Sequence, residues 1–423
     1  MKKNCFLPAD ILLPKDADMT RWSVVACDQY TSEPEYWQAA DRLVGDAPST
    51  LRMILPEYYL EQPGVEARID EINRVMREYV DKGIFKTCAN SYIYLERVLK
   101  SGAVRRGLVG CIDLEQYDYS VGAESLVRAT EGTVLSRIPP RVRVRENAPL
   151  ETPHIMVLID DEARTVIEPL ASRTGAMEKV YDFPLMADSG AARGYRVPQE
   201  ENARIQSALA ALGEQELFEK KYNAPGRAPF VYAMGDGNHS LATAKACFEK
   251  LKETLPEAEW KVHPARWALC EIVNVHDEAL QFEPIHRVVF DVDPQHFLAM
   301  ADAYFTLTED TSAQTFSWIA DGKEGEMHID NPPSHLAVGS VQMFIDDYIK
   351  KHGGRVDYIH GDDVVRRLAA APRTVGILLP EMKKSELFET VVFDGVLPRK
   401  TFSMGHAEDK RFYLECRAIQ TAK

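Results

Sequence analysis

The stretch VYAMGDGNHSLATAK (Val231 to Lys245) concentrates reactive residue types in a short space. Between an apolar run and an alanine-rich one, Gly235 to Ser240 offer two glycines, a carboxylate, an amide, an imidazole and a hydroxyl. This order suits a strand, a tight turn and the start of a helix. The first N–H groups of a helix have no acceptor inside it. With the positive end of the helix dipole they form a site for anions. Gly235 and Gly237 would allow unusual backbone angles and close approach of a ligand. Asn238, His239 and Ser240 would lie in the first helical turn. Asp236 could bind a metal, hold His239 in one tautomer or accept a proton. The same composition also makes an ordinary capped turn. It is not a Walker A loop, because the GxxxxGK[ST] spacing is absent.

Other residues offer related chemistry. Arg128, Thr130 and Glu131 share one short polar stretch, in which Arg128 could bind phosphate and Glu131 could act as a base on a hydroxyl, or all three could line a solvated loop. Arg137, Arg141, Arg143 and Arg145 form the most basic patch of the chain. They could attract a phosphorylated substrate, although alternating Arg and Val also reads as a strand with one charged face. Arg399 and Lys400, followed by Thr401 and Ser403, could contact phosphate or simply lead into a strand. Cys27 and Asp28 sit in the polar turn CDQY. No HxH, HExxH or HxxE cluster and no GxSxG elbow occurs. Asp28 and Asp236 are the carboxylates that could hold Mg²⁺ together with phosphates.

These residues need elements to position them. The apolar spacing predicts helices over Glu66–Val80, Glu200–Tyr222 (with Gly213 as an interruption), Ser240–Leu255 and Val341–His352. SYIYLERVL and RRGLVGCIDL, joined by Ser101-Gly102, read as a hairpin. HIMVLIDD, APFVYAMGDG, RWALCEIVNV, PIHRVVFDV and TVGILLP read as strands, and RFYLECRAI as a terminal strand. DYIHGDDVVRRLAAA reads as strand, turn and capped helix. His276 and Asp277 form a turn. The fold class is therefore mixed α/β. The pattern restarts near residue 300, which suggests a main region over 1–300 and a C-terminal portion over 301–423.

The chain has 423 residues, with 65 acidic and 50 basic, giving a net charge of −15. That balance argues against a broad nucleic-acid surface. No apolar run is long enough to span a bilayer, and the start does not resemble a signal peptide. Seven scattered cysteines without a CxxC argue against a disulfide framework or structural zinc. A cytoplasmic location is expected.

GDGNHSLATAK resembles the signature of the DUF1015 family, in which a turn of this kind opens a helix. CDQY (Cys27 to Tyr30), LVRATEGTV (Leu126 to Val134), EPIHRVVF (Glu283 to Phe290) and LPRKTFSMG (Leu397 to Gly405) resemble its other blocks, in the same order. The turn is also distantly similar to the strand-turn-helix element of the ParB/sulfiredoxin-like fold, which free-serine kinases use to hold nucleotide phosphates. Asn238 and Ser240 replace the His and Arg of that element, and the missing arginine removes a bidentate phosphate clamp.

The resemblance implies phosphoryl transfer on a small hydroxylated metabolite of the serine or phosphoserine type, with ADP or ATP as the nucleotide and Mg²⁺ as a candidate ion. Under it, amides of Gly237 to Ser240 hold phosphate, and Asp236 and His239 orient or exchange a proton. Arg128, His286 and Arg287 neutralise charge, and Glu131 or Asp28 activates the hydroxyl. The alternatives are a phosphatase using the same anion site, or a non-enzymatic ParB-like module that binds nucleotide or nucleic acid. The sequence leaves the oligomeric state open.

Overall fold

The computed structural model describes residues 4–60, 62–133 and 135–421. Contacts divide the chain into two compact units. The first comprises Met1–Ala129, Thr133–Leu280 and Gly405–Lys423, and the second Thr130–Gly132 and Gln281–Met404. The division thus falls at Leu280 and Gly405 rather than near residue 300.

In the first unit, ten described strands form one sheet. They are β1 (Phe6–Leu7), β2 (Ile93–Val98), β3 (Val104–Asp113), β4 (Tyr117–Asp118), β5 (Val127–Arg128), β6 (Met156–Ile159), β7 (Glu178–Pro184), β8 (Ala191–Arg196), β9 (Tyr232–Asp236) and β10 (Trp267–Asn274). Their spatial order is β7-β8-β2-β3-β10-β6-β9-β5-β4, with β1 added to β3. The expected hairpin is β2–β3, with Ile93 opposite Val109 and Val98 opposite Val104.

The central strands are buried on both faces, which is why β3, β6 and β10 read as nearly continuous apolar runs. Leu108, Ile112, Ala268, Cys270 and Ile272 face one core. Val109, Cys111 and Leu269 face the other. The period of two sorts neighbouring residues into opposite cores.

Five described helices of this unit matter here: α1 (Val65–Asp81), α2 (Ile138–Arg145), α3 (Asn202–Leu212), α4 (Gln215–Tyr222) and α5 (Asn238–Thr254). The helix expected over Glu200–Tyr222 is broken at Gly213 into α3 and α4. α5 begins two residues before the expected Ser240. Its Leu241, Ala244 and Phe248 enter the first core, and burying a large apolar side chain stabilises by about 2 kcal/mol.

The Arg/Val alternation is helix α2, not a strand. Ile138 and Val142 fall one turn apart and pack with Ala242. Pro139 and Pro140 sit in the first turn, where their missing N–H groups cost nothing. The expected terminal strand also differs. Arg411 to Arg417 is buried on both sides, and only Arg417–Ala418 is a strand. The rest forms single bridges, Val25 with Phe412 and Leu12 with Cys416.

The second unit holds a seven-stranded sheet: β11 (Phe282–Phe290), β12 (Thr306–Leu307), β13 (Gln314–Ala320), β14 (Lys323–Asp330), β15 (Arg355–His360), β16 (Thr374–Leu378) and β17 (Phe402–Met404). The order is β12-β14-β13-β16-β11-β15, with β17 paired to β11. Every ladder partner of β11 is in this unit, so the boundary must precede it. Helices α6 (Pro294–Tyr304), α7 (Ala337–His352), α8 (Asp362–Ala369) and α9 (Lys384–Asp394) belong to it as well. Among the described residues, no helix is long and apolar enough to cross a membrane.

Candidate functional site

β9, the turn and α5 form the strand-turn-helix read from the sequence. Gly237 is the N-cap, with φ +75°, a left-handed conformation that glycine adopts without penalty. A Cβ there would lie 3.0 Å from Ile155 Cα and 3.4 Å from His154 Cδ2. The turn is therefore pressed against the residues that lead into β6. The register explains this, since Asp236 pairs with Met156. Gly235, by contrast, is extended within β9.

The backbone donors at the helix start are partly used by the chain itself. Gly237 N donates to Asp236 Oδ1 at 2.9 Å. Ser240 N and Leu241 N donate to Gly237 O at 2.9 and 3.0 Å. This corrects the expectation that all amides from Gly237 to Ser240 serve a phosphate: those of Gly237 and Ser240 have acceptors within the turn. Tyr117 OH donates to Asn238 Oδ1 at 3.4 Å. Thr243 Oγ1 donates to His239 O at 2.7 Å.

The segments at 24–28 and 410–413 bring further groups to the turn. Ala26 N donates to Arg411 O, and Tyr413 N to Val24 O. Lys410 Nζ lies 3.5 Å from Asp236 Oδ2. Asp28 Oδ2 is 3.8 Å from His154 Nε2, and Asp28 Oδ1 accepts from Gln29 Nε2 at 3.0 Å. His154 Nδ1 meets Tyr413 OH at 2.7 Å.

Burial raises the Asp28 carboxyl, but His154, Gln29 and Lys410 together outweigh it and hold it below the usual range. Burial, with Asp28 next, pushes the Cys27 thiol up to about 12. Cys27 is then a neutral thiol near neutral pH, not a nucleophile. The oxygens of Asp28 and Asp236 face Gln29, His154, the Gly237 amide and Lys410. That donor-filled surrounding does not suit a protein-held Mg²⁺. Among the described residues, no cluster of three or more His, Cys, Asp or Glu could hold a metal.

A cavity of about 140 Å³ opens beside this cluster. Ser240 and Thr243 of α5, His154, Tyr413, Cys27 and Arg141 contribute polar lining. Met53, Ile54, Leu55, Leu60 and Met76 make an apolar wall. The volume is close to that of an apolar cavity able to take a benzene-sized ring. Of the basic patch, Arg141 and Arg145 line the cavity. Arg141 pairs with Glu57, and Arg145 with Glu151 at 2.6 Å. Arg143 instead pairs with exposed Glu66. The Arg137 side chain and Val134 lie outside the described residues.

The other candidate cations have structural partners. Arg128 is buried in β5, and its guanidinium donates to Ser125 O at 2.8 Å and Ala228 O at 2.9 Å. Those carbonyls precede β9, so Arg128 points away from the Asp236 end of that strand. Thr130 and Glu131 belong to the second unit, where Thr130 O accepts from Leu397 N at 2.6 Å and Glu131 bridges Leu397.

His286 and Arg287 lie on β11 of that unit. His286 Nδ1 accepts from Leu379 N at 3.1 Å, and its Nε2 lies 2.8 Å from Asp362 Oδ1. Burial lowers its pKa, against the pull of Asp362. Arg287 is fully buried, donating to Gln342 Oε1 at 2.9 Å and to the carbonyls of Arg399 and Lys400 at 2.9 and 3.0 Å. Arg399 itself pairs with Asp346 at 2.5 Å.

His276 is at the far end of β6 from the turn, 2.6 Å from Asp160 Oδ1. Lys221 is 2.7 Å from the same carboxylate, and Tyr222 also donates to it. Burial raises the Asp160 carboxyl, but hydrogen bonds from His276, Lys221 and Tyr222 lower it to about 2 overall. Because the folded-state value is depressed, its stabilisation is present above about pH 4 and fades as pH falls towards about 2. Asp160→Asn is expected to cost about 2 kcal/mol at pH 7 and little near pH 2. Urea unfolding at both pH values checks this, and an equal loss at both would refute it.

His154, Tyr413, Lys410 and Glu57 had no sequence signal of a site. His154 precedes a strand as a lone imidazole, and Lys410 stands in an ordinary charged run. The one available hint was polarity at the ends of apolar segments that meet in the sheet.

Comparison with known proteins adds the family. Solved structures similar to this chain include a conserved hypothetical protein from Pyrococcus furiosus, with 11% identity, a TM-score of 0.34, and 73% of this chain and 94% of that one covered. Another is a variant of free serine kinase in complex with AMP, with 11% identity, a TM-score of 0.36, and 73% and 91% covered. A third is C-terminally truncated SbnI from Staphylococcus aureus, with 12% identity, a TM-score of 0.35, and 70% and 82% covered. No curated protein matches the chain. The family described as protein of unknown function DUF1015 matches residues 7–348, and on that match the chain belongs to the DUF1015 family.

Proposed function

We propose that the protein binds a small phosphorylated metabolite or a nucleotide in the cavity beside α5 and transfers a phosphoryl group to or from a hydroxyl. One observation carries this reading. Within a single unit, the first turns of α5 (Ser240, Thr243), Arg141 and His154 face the same cavity as an apolar wall. A flat apolar ring with an anionic tail, such as ADP or ATP, has complementary chemistry. A small hydroxylated acceptor of the serine type is the partner substrate in this reading. Phosphoryl transfer depends chiefly on positioning and charge neutralisation.

Asp28, hydrogen-bonded by Gln29 and close to His154, is the base of this reading. It takes the proton of the acceptor hydroxyl as the new O–P bond forms and the bond to the leaving phosphate oxygen breaks. Ser240 contributes a hydroxyl donor, and Arg141, which is paired with Glu57 on the cavity wall, contributes guanidinium donors. In a hydrolase using the same site, water would replace the acceptor and no nucleotide would be required.

A thermal-shift screen with ADP, ATP, inorganic phosphate, serine and phosphoserine tests the reading. A ligand at 100 times its Kd should stabilise the protein by about 2.7 kcal/mol. Ser240→Asp, which places a carboxylate on the cavity wall, should weaken binding of a phosphorylated ligand at least about tenfold. A wild-type protein indifferent to every phosphorylated compound would end the proposal. A response to phosphoserine with nucleotide-independent release of phosphate would assign a phosphatase instead.

A further inference from the structure

Lys410 lies beyond residues 7–348, the part of the chain that matches the family. Its Nζ stands 3.5 Å from Asp236 Oδ2, at the end of β9. It also acts electrostatically on Asp28. Asp236 thus stands at the helix start with this lysine in ion-pair range, and Asp28, joined to the cluster through His154, feels the same charge. Left uncompensated, those carboxylates would repel the anion that the helix dipole attracts.

The segment carrying Lys410 is held with unusual care. Arg97 Nη2 donates to Glu408 O at 2.6 Å, and Arg105 Nη1 to Asp409 O at 2.9 Å. These two arginines are opposite one another on β2 and β3, and both are buried. On the other side of Lys410, Arg411 is clasped by Glu271 at 2.8 Å and Glu415 at 2.7 Å. Three buried guanidinium groups thus flank one lysine. The desolvation cost of such groups is high, which gives the placement of this lysine a structural backing that an incidental surface charge does not have.

We infer that Lys410 is the charge-setting residue of the site: it neutralises Asp236 and Asp28 together and so allows an anion at the start of α5. The C-terminal segment is then a part of the site, with Arg97, Arg105 and Arg411 as positioning residues. The inference deepens the phosphoryl-transfer reading and rests on it for the identity of the anion. The groups that bear on Asp28 are His154, Gln29 and Lys410, with Cys27 adjoining it in sequence and Tyr413 reached through His154. Asp236 faces Lys410 and the Gly237 amide.

The test uses the full chain and two readouts. Isothermal titration with ADP and with inorganic phosphate compares wild type, Lys410→Met and Lys410→Arg. Carbon-13 titration of labelled aspartate, assigned with Asp28→Asn, follows the Asp28 carboxyl without any ligand. Lys410→Met should weaken ADP at least about tenfold and move the Asp28 midpoint upward. Lys410→Arg, which keeps the charge, should restore both. If Lys410→Met does not fold, Lys410→Gln carries the same expectation.

An unmoved Asp28 midpoint on loss of the lysine charge overturns the inference, as does ADP affinity equal to wild type in Lys410→Met. If wild type binds neither ADP nor phosphate, the phosphoryl-transfer reading falls. The Asp28 midpoint then decides the role of Lys410 alone.

Discussion

Arg411→Met is expected to destabilise the first unit by about 3–5 kcal/mol, the range for breaking a buried ion pair by removing one partner. Arg411, Glu271 and Glu415 are all buried, and Arg411 bridges the two carboxylates. Tyr181 OH adds a hydrogen bond to Glu415 at 2.5 Å. Burial alone would favour a neutral Arg411, yet Glu415 and Glu271 outweigh it and raise its pKa. Methionine has similar bulk but no charge, so the variant would leave two buried carboxylates without their cation.

Chemical unfolding followed by tryptophan fluorescence measures the loss. Adding Glu271→Gln and Glu415→Gln to the variant should recover a large part of it, because the uncompensated charge is then gone. A denaturation midpoint unchanged by Arg411→Met would refute the account. The loss should extend to the site, since Lys410 and Tyr413 flank Arg411 in the chain.

Gly237→Ala carries the second large effect. A residue with a Cβ at φ +75° is strained by about 1–3 kcal/mol. Here the Cβ would also stand 3.0 Å from Ile155 Cα, a backbone atom that cannot swing aside. The nearby His154 ring, 3.4 Å from the same point, would have to shift with it. The variant should therefore lose stability and, under the proposed function, ligand binding together. Gly122→Ala is the control, because Gly122 has φ +78° with nothing within 4 Å. Equal costs for the two substitutions would show that the contact with Ile155 carries no weight.

The chemistry of the turn was legible because it is local. Gly-Asp-Gly-Asn-His-Ser between a strand pattern and a helix pattern specifies strand, left-handed cap and helix start through neighbours alone. The partners of that turn were not legible. His154, Asp28 and Lys410 reach it from widely separated parts of the chain, through ladder pairings that leave no trace in residue spacing. Arg128 and Arg287 show the converse. Each has the residue type of a phosphate ligand, and each is buried donating to main-chain carbonyls. A guanidinium that caps carbonyls and one that faces a ligand have the same sequence signature.

The Arg/Val run shows a competition of periods. Alternate charges suggested a strand, but Ile138 and Val142 gave the spacing that packing used. The buried Arg411–Arg417 run shows another. It read as a terminal strand, whereas it is buried throughout and its charges find partners inside: Arg411 with Glu271 and Glu415, and Arg417 with Glu151.

By itself, then, the amino-acid order determined the mixed α/β class, the periodic elements and the glycine-bounded turn, since each depends on interactions within a few residues. The tertiary structure alone decided that the unit boundary precedes β11, that Lys410, Asp28 and His154 gather at the turn, and that Arg128 and Arg287 are spent on the scaffold. The reason is physical: burial and charge pairing are set by groups far apart in the chain, and only the folded backbone fixes which of them become neighbours.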